Sequence, residues 1–399
     1  MKQLFIAYNF YPLNSPEAIQ NERIMRALSK LGVKTHVVTH YDSENRELEN
    51  SDILVSRTNV KDYKLRKVFC YFFNKKRIQR PDTKYFWKSE AISICEDLME
   101  KENYDFVHSW STPITSHIVA LELRKKKDFK WIVHFSDPWT ENPYITYVDK
   151  ETKEYNQKLE EEVLSLADAI VYTSIETKDL MVGKYNGRFA EKSYILPHTY
   201  SPNVVDRYIN EKYDDKLIHV AHVGNFYGKR IPDELFMGIK KAKEKVENLS
   251  ETVCVDLVGN LPKSKELLIQ KLGIGDVVKV HGKVPYNESQ KIMAKSSVLL
   301  NIDAKDEISV FLPSKLVEYI GYDKPILAIT PIKGTTSRVL NELNHIAIPN
   351  ENYDEIANCF VEMSKNGISG FDYLSTGREK YLPDYVANEF KNIVDKIID

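Results

Sequence analysis

Apolar residues recur along this chain in two alternating rhythms. Short runs in which nearly every position is apolar, such as Leu4–Tyr8, give way to stretches with apolar or small residues three and four apart, such as Ile24, Ala27, Leu28 and Leu31. The first rhythm marks a strand buried on both faces, the second an amphipathic helix. A first helix is predicted over Glu17–Leu31 and ends at Gly32. Lys34–Thr39 reads as the second strand, and Phe106–Ser109, Trp131–Phe135 and Ala169–Thr173 continue the series. The pattern restarts near residue 217. Leu217–Val223 runs into Gly224, a helix is predicted over Glu234–Val246, Val253–Val258 ends at Gly259, and Val277–His281 ends at Gly282. Val298–Ile302 and Ile326–Ile329 follow, and 384–399 reads as a closing helix.

Strands alternating with helices predict parallel sheets covered on both faces. The expected fold is therefore α/β, with two Rossmann-like, doubly wound domains, 1–200 and 201–383, joined near Tyr200-Ser201-Pro202-Asn203. The helix 384–399 is expected to return to the first domain. Two such domains would face a central cleft. Ligands of doubly wound sheets bind beyond the carboxyl ends of the strands, so the informative residues lie just after strands.

Composition narrows the class. The chain has 399 residues, 42% hydrophobic and 29% charged, as in an ordinary soluble protein of two or three domains. Its net charge of −2 gives no global field to attract nucleic acid. Cys70, Cys95, Cys254 and Cys359 are far apart and form no C-x-x-C pair, so neither a zinc site nor a disulfide framework is expected, and a reduced, cytoplasmic setting fits. Charges interrupt every apolar run before it reaches membrane-spanning length. The apolar start runs into Asn9 and Tyr11-Pro12 with no small-residue cleavage site, which reads as a strand and not a signal peptide.

Four segments after strands carry candidate chemistry. In Phe311-Leu312-Pro313-Ser314-Lys315-Leu316-Val317-Glu318, Pro313 and Ser314 suit the first turn of a helix, whose backbone N–H groups can hold an anion. Glu318 projects from the same face one turn on, where a carboxylate can accept two hydrogen bonds from a ribose diol. An ordinary capped helix with a solvated glutamate fits the spacing equally well. In His222-Val223-Gly224-Asn225-Phe226-Tyr227-Gly228-Lys229-Arg230, Gly224 permits close approach and Lys229 or Arg230 would neutralise a diphosphate; two surface cations in a loop are the alternative. In Ile132-Val133-His134-Phe135-Ser136-Asp137-Pro138-Trp139, Asp137 is placed to bond a sugar or act as a base, with His134 as a competing candidate or a core histidine. The loop Tyr8–Pro16 contains no glycine and contributes Asn14 and Ser15, with Arg23 downstream, as an acceptor or phosphate loop.

Other chemistries lack their signatures. There is no G-x-G-x-x-G after a strand, no G-x-x-x-x-G-K-[ST], no H-E-x-x-H, no G-x-S-x-G and no D-x-D. Without an acidic metal clamp, a diphosphate would rest on cationic side chains and helix amides.

Read together, Tyr11-Pro12 with Arg23, Phe135–Trp139, Ala167-Asp168-Ala169-Ile170-Val171, Gly224–Pro232, and Phe311–Tyr319 with Lys324-Pro325-Ile326-Leu327 resemble a bacterial family 4 glycosyltransferase of GT-B architecture. The resemblance spans nearly the whole chain. It implies a retaining, metal-independent enzyme with no cofactor, moving a sugar from a nucleotide-diphosphate sugar to a saccharide or lipid-linked saccharide. Surface polysaccharide assembly (capsule or O-antigen) is the family's usual setting. By the same resemblance Glu318 holds the ribose, and the Ser314 and Lys315 amides meet the diphosphate together with Gly224 and Asn225. Arg230 first and Lys229 second stabilise the leaving group, Asp137 stands near the donor sugar, and His281 through Val284 meet the base. Many members carry a glutamate eight positions before the ribose one; Val310 stands there, and Glu307 is out of register. A nucleotide-sugar epimerase on the same fold, or a non-catalytic binding protein that kept it, are the alternatives.

One stretch is unlike the rest. Residues 61–88 hold ten cations against two acids, interleaved with Val68, Phe69, Tyr71, Phe72 and Phe73. A peripheral contact with the inner membrane face, a flap over a lipid-linked acceptor, or a helix with solvated lysines all fit this pattern. No nucleic-acid recognition module is visible.

Overall fold

Valine, isoleucine and leucine fill the inner strands of two parallel sheets because those strands are covered on both faces and have no polar side to present to water. The computed structural model describes residues 1–40, 48, 52–59, 68, 70–72 and 74–399. Lys61, Lys64, Arg66, Lys67, Phe69 and Phe73 of the basic stretch lie outside the described residues. The first sheet comprises β1 (Lys2–Ile6), β2 (Lys34–Thr39), β3 (Ile53–Arg57), β4 (Phe106–Ser111), β5 (Lys130–Phe135), β6 (Ala169–Tyr172) and β7 (Ser193–Ile195), in the order β3-β2-β1-β4-β5-β6-β7. The second sheet draws on β8 (Ile218–Val223), β9 (Val253–Val258), β10 (Val278–Gly282), β11 (Val298–Ile302), β13 (Ile326–Thr330) and β15 (Ile346–Pro349). Its order is β10-β9-β8-β11-β13-β15. A two-residue parallel pair, β12 (Ile308–Ser309) with β14 (Lys333–Gly334), stands beside it.

The chain divides into two compact units, 1–198 with 383–399, and 199–382. In the first, Leu4, Ile6, Val107, Val133 and Phe135 pack on one face of the sheet. Phe5, Val37, Phe106, Ile132 and Val171 pack on the other, the strand alternation sending successive residues to opposite sides. That second face is closed by the helix Pro16–Lys30 and by the helix Pro383–Ile398, which contributes Val386, Phe390 and Val394. The two helices pack together, and Lys30 Nζ reaches Asp384 Oδ1 at 2.9 Å.

The second unit repeats the plan. Val220, Val255, Leu257, Leu300 and Ile329 pack beneath the helices Asp233–Lys245 and Tyr353–Asn366. Val223, Val258, Leu299 and Ala328 pack against Leu316, Val317, Tyr319 and Ile320 of the helix Ser314–Gly321. In each sheet the strand order reverses beside the first strand of its unit, at β1/β4 and β8/β11. These are the switch points where doubly wound folds place their ligands. Among the described residues no helix is long and apolar enough to cross a membrane.

Candidate active site

The switch point of the second unit gathers most of the residues singled out in its sequence. β8 ends at Val223, and the chain turns at Gly224 and Asn225 over the end of β9. Gly224 N–H donates to Val258 O at 2.9 Å, Phe226 N–H to Asn260 O at 3.0 Å, and Asn260 N–H to Asn225 Oδ1 at 2.9 Å. The crowding here falls on a different glycine from the one the sequence pointed to. A Cβ on Gly224 would meet only the His222 ring, at 3.2 Å. Gly259 sits at φ +127°, and a Cβ there would land on the Gly224 carbonyl group. Gly259 therefore brings the two strand-end loops together.

Arg230 is the cation held in this corner. Its guanidinium lies over the Tyr227 ring at 5.5 Å and 3.8 Å from Asp303 Oδ1. Its Nε is buried and donates to nothing among the described residues. Asp303 follows β11, is itself buried, and is held by Asn301 Nδ2 at 3.1 Å and Thr330 Oγ1 at 2.8 Å. Asp303 thus orients Arg230 at a distance too long to satisfy it, which leaves donor capacity for an anion. Lys229 differs: it is exposed and paired with Asp306. His222, below the loop, is buried and stacked on Phe226 at 4.6 Å. Burial, helped by the Arg230 charge, lowers its pKa to about 4. The neutral ring donates from Nδ1 to Leu300 O at 3.0 Å, so its Nε2 carries a lone pair.

Helix Ser314–Gly321 is delivered to the same corner by a residue the sequence reading passed over. Tyr319 is fully buried, and its hydroxyl accepts the Val223 N–H at 2.8 Å. The helix begins after Pro313, and no side chain caps its first turn; Ser314 stands at the first helical position and not at the cap. One turn on, Glu318 is 5% exposed. Lys315 lies with Nζ 5.8 Å from the Tyr286 ring centre. Val284, after β10, is half-buried against the same apolar cluster. The His281 side chain is turned away, its Nε2 2.7 Å from Asp256 Oδ1, so only its backbone remains for a base.

The candidates of the first unit sit at the carboxyl ends of its own strands. Asp137, after β5, is half-buried, and burial together with the nearby Glu17 charge raises its carboxyl to about 6. Its loop is pinned on both sides: Trp110 Nε1 donates to Ser136 Oγ at 2.8 Å, and Thr140 N–H donates to the buried Glu160 at 2.8 Å. His134 is a core histidine, stacked on Trp110 at 3.5 Å and kept neutral by burial. Asn14 is exposed. Ser15 is spent as a helix cap, its Oγ accepting the Ala18 N–H at 3.2 Å. Arg23 lies near His198, whose pKa is lowered to about 4 by burial and then by that charge.

The described part of the basic stretch is partly neutralised. Lys76 pairs with Asp149 at 2.9 Å and Glu151 at 2.6 Å, and Arg80 with Glu151 at 2.9 Å. Arg77 lies over Tyr85 at 3.6 Å, and Trp87 is buried. It forms no single helix: short 3₁₀ turns at Lys75–Gln79 and Tyr85–Trp87 lead into the helix Lys88–Lys101. Tyr71 and Phe72 remain 55% and 71% exposed.

Residues 19–199 match the model of Glycosyltransferase Family 4. Over those residues the chain is similar to a family 4 glycosyltransferase domain. Transferase chemistry is the class this domain brings. The whole chain is similar in fold to sucrose-phosphate synthase from Thermosynechococcus elongatus, at 15% identity and TM-score 0.71, covering 99% of this chain and 98% of that one. A glycosyltransferase from Rickettsia africae matches at 13% identity and TM-score 0.68, covering 100% and 98%. The lipopolysaccharide outer core galactosyltransferase WaaB matches at 15% and 0.62, covering 99% of each chain. These are GT-B proteins, and this chain has their fold of two Rossmann-like domains. No curated protein sequence matches the chain.

Sequence reasoning about this glycosyltransferase missed Tyr319, Asp303 and Gly259. Tyr319 was given no role of its own within the Phe311–Tyr319 motif. Asp303 was lost in a run of charges after β11. Gly259 ended a strand in the sequence but gave no sign of what lay against it.

Proposed function

We propose that this glycosyltransferase moves a sugar from a nucleotide-diphosphate donor to a saccharide or lipid-linked saccharide, with retention at the anomeric carbon and without a metal, in assembling a surface polysaccharide. One observation carries the reading: Glu318 is buried one turn past a helix start with no side-chain cap, in the corner where Arg230 keeps an unspent donor. A nucleoside diphosphate uses all three, its ribose hydroxyls bonding the carboxylate and its phosphates meeting the Ser314 and Lys315 amides and the guanidinium. Gly224, Asn225 and Val284 complete the donor side. Among proteins of similar fold, one trehalose-6-phosphate enzyme binds UDP-2-fluoro glucose and TarM from S. aureus binds UDP, which supports a nucleotide donor here.

In the proposed reaction the acceptor oxygen bonds to the anomeric carbon on the face from which the diphosphate departs. The bond from that carbon to the phosphate oxygen breaks, and the acceptor proton passes to the leaving diphosphate. Arg230, then Lys229, and the helix start hold the charge that develops on the leaving group. Asp137, with its carboxyl raised to about 6, serves the reacting sugar. Peripheral attachment to the inner membrane face is the finer localisation we propose. Because Lys76 and Arg80 are already paired, it would rest on Tyr71 and Phe72 more than on charge. Flotation with anionic vesicles, lost on replacing both by alanine, is the expected result.

The deciding experiment is a thermal-shift panel of nucleoside diphosphates and nucleotide sugars on the wild type and on Glu318→Ala. Stabilisation by one base series is expected. Loss of a charge-assisted hydrogen bond costs about 1.5–3 kcal/mol, so the variant should bind roughly 10- to 100-fold more weakly. No stabilisation by any nucleotide, or equal binding by the variant, would remove the assignment. Donor hydrolysis or epimerisation without acceptor would point to the epimerase.

A further inference from the structure

The second unit holds a cluster that the donor reading does not use. His219 stands on β8, Cys254 and Asp256 on β9, and His281 on β10. His219 is the direct partner of Cys254 in the β8–β9 register. Cys254 and Asp256, two apart on one strand, share a face. Three adjacent strands thus converge on the Asp256 carboxylate. His219 Nδ1 lies 2.6 Å from Oδ2, His281 Nε2 lies 2.7 Å from Oδ1, and Cys254 Sγ lies 3.9 Å from Oδ1. The ligand atoms of His219, Cys254 and Asp256 all lie within 4.8 Å of one another, and all three residues are buried.

From this geometry we infer a divalent-metal site of the zinc type, with His219 Nδ1, Cys254 Sγ and an Asp256 oxygen as its three protein ligands and His281 Nε2 bonding the other Asp256 oxygen from outside. One thiolate, one imidazole and one carboxylate, with water in the fourth position, form a donor set that suits zinc in tetrahedral coordination. With Zn–N near 2.0 Å and Zn–S near 2.3 Å, the ligand atoms of a tetrahedron stand roughly 3.3–3.8 Å apart. The His219–Asp256 separation of 2.6 Å must open by roughly 0.7 Å and the Cys254–Asp256 separation of 3.9 Å must close by a few tenths of an ångström to admit the ion.

The outer groups point the same way, and they are independent of the three ligands. His219 presents Nδ1 to the cluster, while its other nitrogen, Nε2, lies 3.0 Å from Asp215 Oδ1. A carboxylate on the far nitrogen is the arrangement that fixes the tautomer and orientation of a metal-bound imidazole. Tyr213 stacks on the same ring at 3.6 Å and holds its plane. Access exists on both sides. His281 is part-exposed, and Asp215 and His219 line a cavity of about 380 Å³ together with Lys295, Lys324 and Tyr373. The sequence expectation of no metal rested on the absence of close cysteine pairs. These ligands come from two strands more than thirty residues apart, which spacing rules do not detect.

The test uses the full-length protein stripped with a chelator and does not involve activity or nucleotide. Zn²⁺ is titrated in competition with a chromogenic chelator, and Co²⁺ serves as the spectroscopic probe. One equivalent of each metal is expected to bind. The Co²⁺ form should show thiolate-to-cobalt charge transfer in the near ultraviolet and the intense visible bands of four-coordinate cobalt. Cys254→Ser should abolish the charge-transfer band. His281→Ala, at a part-exposed position, should weaken binding at least tenfold, and Asp215→Asn should weaken it roughly 10- to 100-fold through the outer hydrogen bond. If Cys254→Ser fails to fold, the other two variants decide. Absence of stoichiometric uptake, a Co²⁺ spectrum without the thiolate band, or unchanged affinity in His281→Ala and Asp215→Asn would overturn the site.

Discussion

Tyr319→Phe takes one oxygen from the interior of the second unit and changes nothing else in its shape. The Gly224 N–H bonds Val258 across β9, so the Val223 N–H faces the other way, toward β11. The β8–β11 pairing ends at Ala221, opposite Leu299. The sheet therefore offers Val223 no acceptor, and the Tyr319 hydroxyl supplies one at 2.8 Å in a fully buried position. Without it a buried N–H goes unsatisfied, at a cost of about 1–3 kcal/mol. For a unit of this size each kcal/mol moves the midpoint by about 2–4 °C, so a fall in Tm of roughly 3–9 °C is expected. Differential scanning calorimetry of the full-length chain measures it, with the loss confined to the transition of the second unit. The same bond moors the helix Ser314–Gly321 to the strand end, so nucleoside diphosphate affinity should weaken several-fold in parallel. A folded variant whose midpoint moves by less than about 1 °C would refute the argument that this hydroxyl replaces a missing strand partner.

Other expectations rest on separate groups. Arg230→Ala should lower transfer by about 10²–10³ with little change in Tm, while Lys229→Ala, at an exposed paired residue, should cost far less; near-normal initial rates in Arg230→Ala would remove its role. Asp137 is held at about 6, above its unfolded value, so its neutral form favours the fold at low pH and that contribution is lost as pH rises through 6. Asp137→Asn should therefore raise stability above pH 6 by up to about 3 kcal/mol, converge with the wild type near pH 4, and lose the acid limb of the pH–rate profile near 6; denaturant midpoints and rates across pH check both. His108, His117 and His198 are depressed by burial to about 3, 3 and 4, so each is folded neutral and must be charged against the fold in acid. Urea midpoints should fall steadily as pH drops below 6.5 toward 4, and a flat profile over that window would contradict it.

The strands whose residues are almost all apolar were legible because burial on both faces writes itself into composition. Leu4–Ile6, Trp131–Phe135, Val253–Val258 and Val298–Ile302 were each placed within a residue or two. β3 and β7 escaped because they are edge strands with exposed positions such as Leu54 and Ile195 and mix polar residues into short runs, and β15 because it is four residues long and ends at Pro349. At the candidate site, Arg230, Glu318, Gly224 and Asp137 could be proposed because each follows a strand or opens a helix. Their relation to one another was not legible. It depends on Tyr319 reaching Val223 across 96 positions and on Asp303 reaching Arg230 across a sheet, and no local pattern encodes contacts between distant segments. The His219–Asp256–His281 row was hidden for the same reason, since strand pairing and not spacing assembles it.

The helix Pro383–Ile398 supplies Phe390 and Val394 to the interior of a unit whose other residues all precede position 199. During translation the ribosome must therefore make the entire 199–382 unit before the first one can be completed. Until then the nascent amino-terminal half presents an oily furrow where Phe106 and Leu28 wait for their cover. The second unit is thus the first to have all its residues, and a chaperone binding early chains would find its target on the face beside Pro16–Lys30.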